Sequence, residues 1–185
     1  MQFILLIILI IVFVVYVYIN YSEFPRYAEA SWRTLIGLKY TKESAASLLG
    51  ILDVYTELNP KFVDQDILHE KSTFSTRADY LNQDQKLNQT FINDEIPMGI
   101  NRFTTFEQKS FLKNLAQENH LSLFDIQIQL NTLNFFQKDE RFFEIKDINV
   151  AIDKYLNKFY PQLLDKRHII VDKANKYYDY FKNKN

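Results

Sequence analysis

Three glycines (Gly37, Gly50, Gly99) and four prolines (Pro25, Pro60, Pro97, Pro161) are all that punctuate 185 residues. A β-sandwich or barrel reverses direction every ~8–12 residues and draws on Gly and Pro to do so. So few backbone breakers predict an all-α chain. The prolines also sit where a helical chain tolerates them. Pro25 and Pro161 suit the first turn of a helix, and Asn59 before Pro60 suits a helix end, because the residue preceding proline avoids the helical region.

The second constraint is the run at residues 3–19, FILLIILIIVFVVYVYI, which has no charge, no Gly and no Pro. As a helix its 17 residues rise roughly 26 Å, close to the thickness of a bilayer's hydrocarbon core. A cleaved signal needs a basic segment before the run and a small-residue site just after it. Here only Met1 and Gln2 precede it, and the nearest such triplet is Ala28-Glu29-Ala30. A core helix is seldom apolar on every face. The run therefore reads as a retained single-pass transmembrane anchor. Its lack of a small-xxx-small pattern encodes no close helix dimer. Arg26, Arg33, Lys39 and Lys42 follow the span, which by the positive-inside rule places the N-terminus outside and the body in the cytoplasm. Tyr16, Tyr18, Tyr21 and Trp32 are the candidate membrane-interface residues, since rings with a polar edge favour the headgroup layer. Ala28, Trp32, Leu35 and Ile36 share one helical face, open to two readings: a helix lying on the bilayer or the first helix of the extramembrane domain.

Beyond this the chain reads as a small helical bundle. Thr41 caps a helix whose apolar face is Leu48, Leu49, Leu52, Tyr55 and Leu58. Gly50 inside it costs up to about 1 kcal/mol in propensity, which marks a close helix contact. Residues 61–102 are polar, with one weak helix at 77–87 and a turn at NDEIPMGIN. Thr104 and Glu107 form a capping box for a helix carrying Phe106, Phe111, Leu112 and Leu115. Ser122 and Asp125 repeat the pattern. The stretch after them alternates like a strand (Phe124, Ile126, Ile128, Leu130) and also fits a helical face (Leu123, Ile126, Leu130, Leu133); the cap and the length favour a helix. A helix from about Ile145 carries Ile148, Ile152, Tyr155, Leu156 and Phe159. After Pro161, the residues Leu164, His168, Val171, Asn175, Tyr178 and Phe181 follow a 4-3 spacing, either a coiled-coil seam or a terminal bundle helix. The expected organisation is thus an anchor (1–21), juxtamembrane helices (22–58), a polar, loop-rich connection (59–102) and a C-terminal helical domain (103–185).

The chemistry is sparse. The formal net charge is −1, which gives no basic field for nucleic acid. Of the helix pair around Asn119, the second helix offers Gln127, Gln129 and Asn131 but no Arg or Lys before Lys138 to contact phosphate. The absence of cysteine excludes disulfides and thiolate sites. Three dispersed glycines build neither a P-loop nor a dinucleotide fingerprint. Asp64, Asp66, His69 and Glu70, in DQDILHE, are the one set of oxygen and imidazole donors at a spacing that suggests a divalent cation, and they read more simply as a polar surface. His120 and His168 are isolated. No cofactor, small-molecule substrate or catalytic residue is expected.

Phe and Tyr do stand out, at 16 and 12 residues. Adjacent pairs such as Phe135-Phe136, Phe142-Phe143 and Tyr177-Tyr178 cannot place both rings on one helix face, so some must stay partly exposed or meet a partner. The expected function is a membrane-anchored interaction protein, an accessory or assembly subunit of a membrane complex, with the lipid bilayer and another protein as partners. The alternatives are a membrane-tethered inhibitor or immunity-type protein and a metal-dependent enzyme.

Overall fold

The computed structural model describes residues 25–71, 80–81, 89–137 and 141–184. Among them run eight α-helices: α1 (Ala28–Gly37), α2 (Lys42–Thr56), α3 (Gln65–Lys71), α4 (Gln89–Asn93), α5 (Phe106–Glu118), α6 (Ile126–Gln137), α7 (Ile148–Phe159) and α8 (Arg167–Phe181). Two 3-10 segments, Phe142–Glu144 and Pro161–Lys166, lead into α7 and α8. The described residues form no sheet, only isolated antiparallel bridges from Met98 to Val63 and to Phe103.

The fold is organised around α2. Thr41, in extended backbone, caps it by accepting a hydrogen bond from the Ser44 N–H at 3.1 Å. From Ser44 to Asp53 every residue of α2 is buried, as expected of a helix enclosed by others rather than resting on one face. Helices α1, α7 and α8 pack around it. Its small residues let them approach. At Gly50 an added Cβ would lie 2.8 Å from the Ile170 carbonyl oxygen and 3.0 Å from the Ala174 Cβ, so α8 runs nearly backbone to backbone against α2. The serines of α2 serve the segment before and at the start of α7. Ser44 Oγ donates to the Phe142 carbonyl at 2.6 Å, and Ser47 Oγ to the Ile148 carbonyl at 3.1 Å. The Asp53 carboxylate accepts from the Tyr177 hydroxyl at 2.9 Å and from Lys173 Nζ at 2.7 Å, joining α2 to α8 a second time.

A second layer is built by α5 and α6, with α4 against α5 and α6 against α1. Residues 96–103 thread through it, burying Ile96, Met98, Ile100 and Phe103. Gln129 of α6 holds this loop. Although fully buried, its amide accepts from the Ile100 N–H and donates to the Pro60 and Leu123 carbonyls, each at 2.8 Å. One side chain thereby bonds three backbone groups of the surrounding loops. The stretch that looks polar in sequence supplies core residues of its own, among them Val63, Leu68 and Phe91. The apolar core runs continuously from Ala28 to Phe181.

Several expectations change. The proposed anchor, with Tyr16, Tyr18 and Tyr21, lies outside the described residues, as does most of the weak helix at 77–87. Among the described residues no helix is long and apolar enough to cross a membrane. The longest, α2 and α8, have 15 residues each, a rise of roughly 22 Å against the ~30 Å of a hydrocarbon core. The single-pass membrane fold, its cytoplasmic body and the bilayer as partner are corrected accordingly: the structure supports an all-α helical domain. Trp32 is also no membrane-interface residue. It is 3% exposed and stacks on Phe181 of α8 with ring centroids 5.2 Å apart. Of the two readings of α1, the structure therefore shows the bundle helix.

Smaller corrections concern register. The capping box falls one residue later than expected: Thr105 and Gln108 make the reciprocal bonds, while the Thr104 hydroxyl donates to the Arg102 carbonyl. The cap of α6 is Asp125, whose Oδ1 accepts from the Gln127 and Ile128 N–H groups. On α8 the buried face is Ile170, Ala174, Tyr177 and Phe181, not the seam through Leu164, His168 and Asn175, which are exposed. The close approach at Gly50 selects this register, because only a small residue such as Ala174 fits there.

Candidate interaction surface

The expected metal-site residues do not converge. Asp64 Oδ1 accepts from the Ile67 N–H at 3.3 Å, capping α3, and its Oδ2 pairs with Arg102. Asp66, His69 and Glu70 are exposed on α3. Among the described residues no group of three or more His, Cys, Asp or Glu is placed to hold a metal ion, so the metal site expected at Asp64, Asp66, His69 and Glu70 is corrected: these residues do not form one. His120 and His168 are exposed and far apart in the chain. Gln129, which a base-reading helix would have to present to DNA, is buried in the loop staple described above.

One buried charge was not evident in the sequence. Lys109 of α5 is fully buried. Its ammonium pairs with Asp94 and donates to the Phe91 carbonyl at 3.2 Å, with the Tyr80 hydroxyl at 3.4 Å. Burial pulls its pKa below the usual lysine value, and the hydrogen bond and charge of Asp94 oppose that shift. The ammonium has no open face, since the Phe91 ring covers it at 4.9 Å. This arrangement joins α4 to α5; it does not present a nucleophile.

Among the large apolar side chains left exposed are two adjacent phenylalanines of α6. Helix α6 turns Ile126, Leu130 and Leu133 inward, and the next turn then carries Phe135 and Phe136 out of the core. They are 42% and 40% exposed. Phe111, projecting from α5, stacks on Phe135 with centroids 4.1 Å apart and 18° between planes. Phe136 stands edge-on to both, at 5.8 Å from Phe111 and 5.3 Å from Phe135. The three rings lock one another in offset-stacked and T-shaped geometry. They form one contiguous apolar surface across two helices. Among the adjacent aromatic pairs this is the one with both rings exposed. Phe142 and Tyr177 are buried, and Phe143 and Tyr178 are half-buried.

A phenylalanine carries on the order of 200 Å², so Phe135 and Phe136 together leave roughly 160 Å² of apolar ring in water. Covering that area is worth roughly 4 kcal/mol at about 25 cal/mol per Å². Comparison with protein family models, with curated proteins and with solved structures finds no match.

Proposed function

We propose that this domain acts by binding another protein rather than by catalysis, through a contact centred on Phe111, Phe135 and Phe136. The supporting observation is the preformed ring platform. It spans two helices, its rings hold each other in place, and it leaves apolar surface exposed in a fold that buries most of its other rings. Contacts of this type concentrate binding energy in a few aromatic anchors, and rigid rings lose little entropy on binding. The partner surface is apolar or aromatic, such as one face of an amphipathic helix.

The test is site-specific photocrosslinking of the full chain in its native cells, with benzoylphenylalanine in place of Phe136. A discrete adduct is expected at this position and not at the exposed Gln162. The adduct should disappear when Phe111 and Phe135 are both changed to Ser. If no discrete adduct forms, or if the double substitution leaves it intact, the reading is wrong.

A further inference from the structure

A second feature lies where α1 meets the C-terminal end of α8. A cavity of about 490 Å³ opens between them, within the range of small-molecule sites. Trp32, Ile36 and Phe181 give it an apolar base, and Arg33, Lys42 and Lys184 stand around it with one acid, Glu29. The cations are unequal. Arg33 is bound to Glu29 at 2.5 Å. Lys42 Nζ donates to the Lys182 carbonyl at 2.5 Å, a neutral acceptor at the end of α8. Lys184 Nζ lies 3.5 Å from the centroid of the Tyr180 ring. Neither lysine has a carboxylate partner among the described residues. The cavity therefore combines an apolar base with two ammonium groups that no acid among the described residues neutralises.

We propose that this cavity binds an amphipathic anion, an apolar body carrying a single carboxylate. The carboxylate would sit between Lys42 and Lys184, gaining charge-assisted hydrogen bonds, and the apolar body would lie on Ile36 and the edges of Trp32 and Phe181. Both parts are required. A small anion leaves Ile36 and the solvent-facing edge of the base uncovered, and a neutral tail leaves the two ammonium groups without a counter-charge. Glu29 on the same rim disfavours more heavily charged head groups.

Trp32 is the only tryptophan in the chain and lies at the base of the cavity, so its fluorescence reports on this site alone. The full chain is titrated with decanoate below its micellar concentration, with decanol and with acetate. A saturable change in Trp32 emission is expected with decanoate, with affinity at least tenfold weaker for decanol and for acetate. K184Q, at an exposed position near the chain end, should weaken decanoate at least fivefold with an unchanged circular dichroism spectrum. K42Q provides an independent second measurement with the same expectation. The F135S/F136S pair should leave the titration unaltered, so this site and the aromatic platform stand or fall separately. The absence of a saturable response, equal binding of decanol, or indifference to both lysine substitutions would overturn the proposal.

Discussion

Substituting Gly50 by alanine sets two physical effects against each other, and the structure decides between them. In an exposed helix the change would stabilise by about 1 kcal/mol, because glycine loses more backbone entropy than alanine on folding. At this position the new Cβ would lie 2.8 Å from the Ile170 carbonyl oxygen and 3.0 Å from both the backbone nitrogen and the Cβ of Ala174. Two of those atoms are backbone, so no rotamer change relieves the contact. Helix α8 must retreat by about 0.6 Å to bring the shortest distance from 2.8 to the 3.4 Å of ordinary contact. Such overpacking costs about 1–3 kcal/mol, and the retreat also stretches the bonds from Asp53 to Lys173 and Tyr177 that bridge the same two helices. Set against the propensity gain of about 1 kcal/mol, overpacking leaves about 0–2 kcal/mol, and the stretched bonds keep the net expectation for G50A on the side of a loss, up to about 2 kcal/mol or roughly 8 °C in Tm for a chain of this size. Urea unfolding followed by circular dichroism measures it. G37A is the internal control: nothing lies within 4 Å of a Cβ at Gly37, in the last turn of α1, so propensity acts alone and that variant should gain up to about 1 kcal/mol. If G50A matches or exceeds the wild type in stability, the close packing of α2 on α8 inferred here is wrong.

Two further outcomes follow from the buried polar groups. Burial pushes the Tyr40 phenol up to about 12 and raises those of Tyr80, Tyr155, Tyr160 and Tyr177 well above their ordinary value. The unfolded chain begins to lose these protons near pH 10 while the folded one keeps them, so the stability they contribute is intact below pH 10 and falls as the pH climbs toward the folded values. Each phenol contributes a loss of about 1 kcal/mol between pH 10 and 11, and Lys109, whose pKa is lowered by burial, offsets this in the opposite sense as a single group against five. A net fall of roughly 4 kcal/mol should appear in urea unfolding across that interval; tyrosinate absorbance showing all 12 tyrosines ionising together near pH 10 in a still-folded chain would contradict it. For Gln129→Leu, the Ile100 N–H and the Pro60 carbonyl lose the bonds the amide makes to them, and two such groups at about 1–3 kcal/mol each predict a loss of at least ~2 kcal/mol, which a measured loss below 1 kcal/mol would refute.

The helices were legible where local chemistry decides them. Thr41 before a run of helix formers, the capping signal near Thr104 and Pro161 ahead of the last helix all name real boundaries to within a residue or a turn. Gly50 was legible as a close contact because a propensity cost inside a helix needs a tertiary reason. The α8 register was not. Hydropathy favours Leu164 and Val171 over Ala174, whereas the space opposite Gly50 admits only a small side chain, and that space belongs to another helix. Trp32 misled in a similar way. A ring soon after an apolar run fits an interfacial belt, and only the position of Phe181, far along the chain, shows that its stacking partner is in the core. Residues 59–102 looked like a connection because their apolar residues follow no period, yet Ile96, Met98 and Ile100 are buried as a loop held by one glutamine, and loops of this kind carry no helical or strand pattern.

The candidate surface was half legible. Adjacent phenylalanines on a helix must split between faces, but the sequence does not say which pair ends up outside. At Phe142-Phe143 and Tyr177-Tyr178 the fold buries one ring and partly covers the other. At Phe135-Phe136 it exposes both and adds Phe111 from a neighbouring helix to hold them. The contrast with Lys109 gives this its weight. The same bundle accepts the desolvation of an ammonium at its centre, with Asp94 and the Phe91 carbonyl to compensate, while leaving two phenyl rings in water. Folding stability alone favours neither choice: a polar residue at 135 or 136 would cost the core little, since neither ring belongs to it. The internal lysine is accounted for by its partners. The outward rings pack on one another at the surface, and the proposed contact with another protein would cover what they leave exposed.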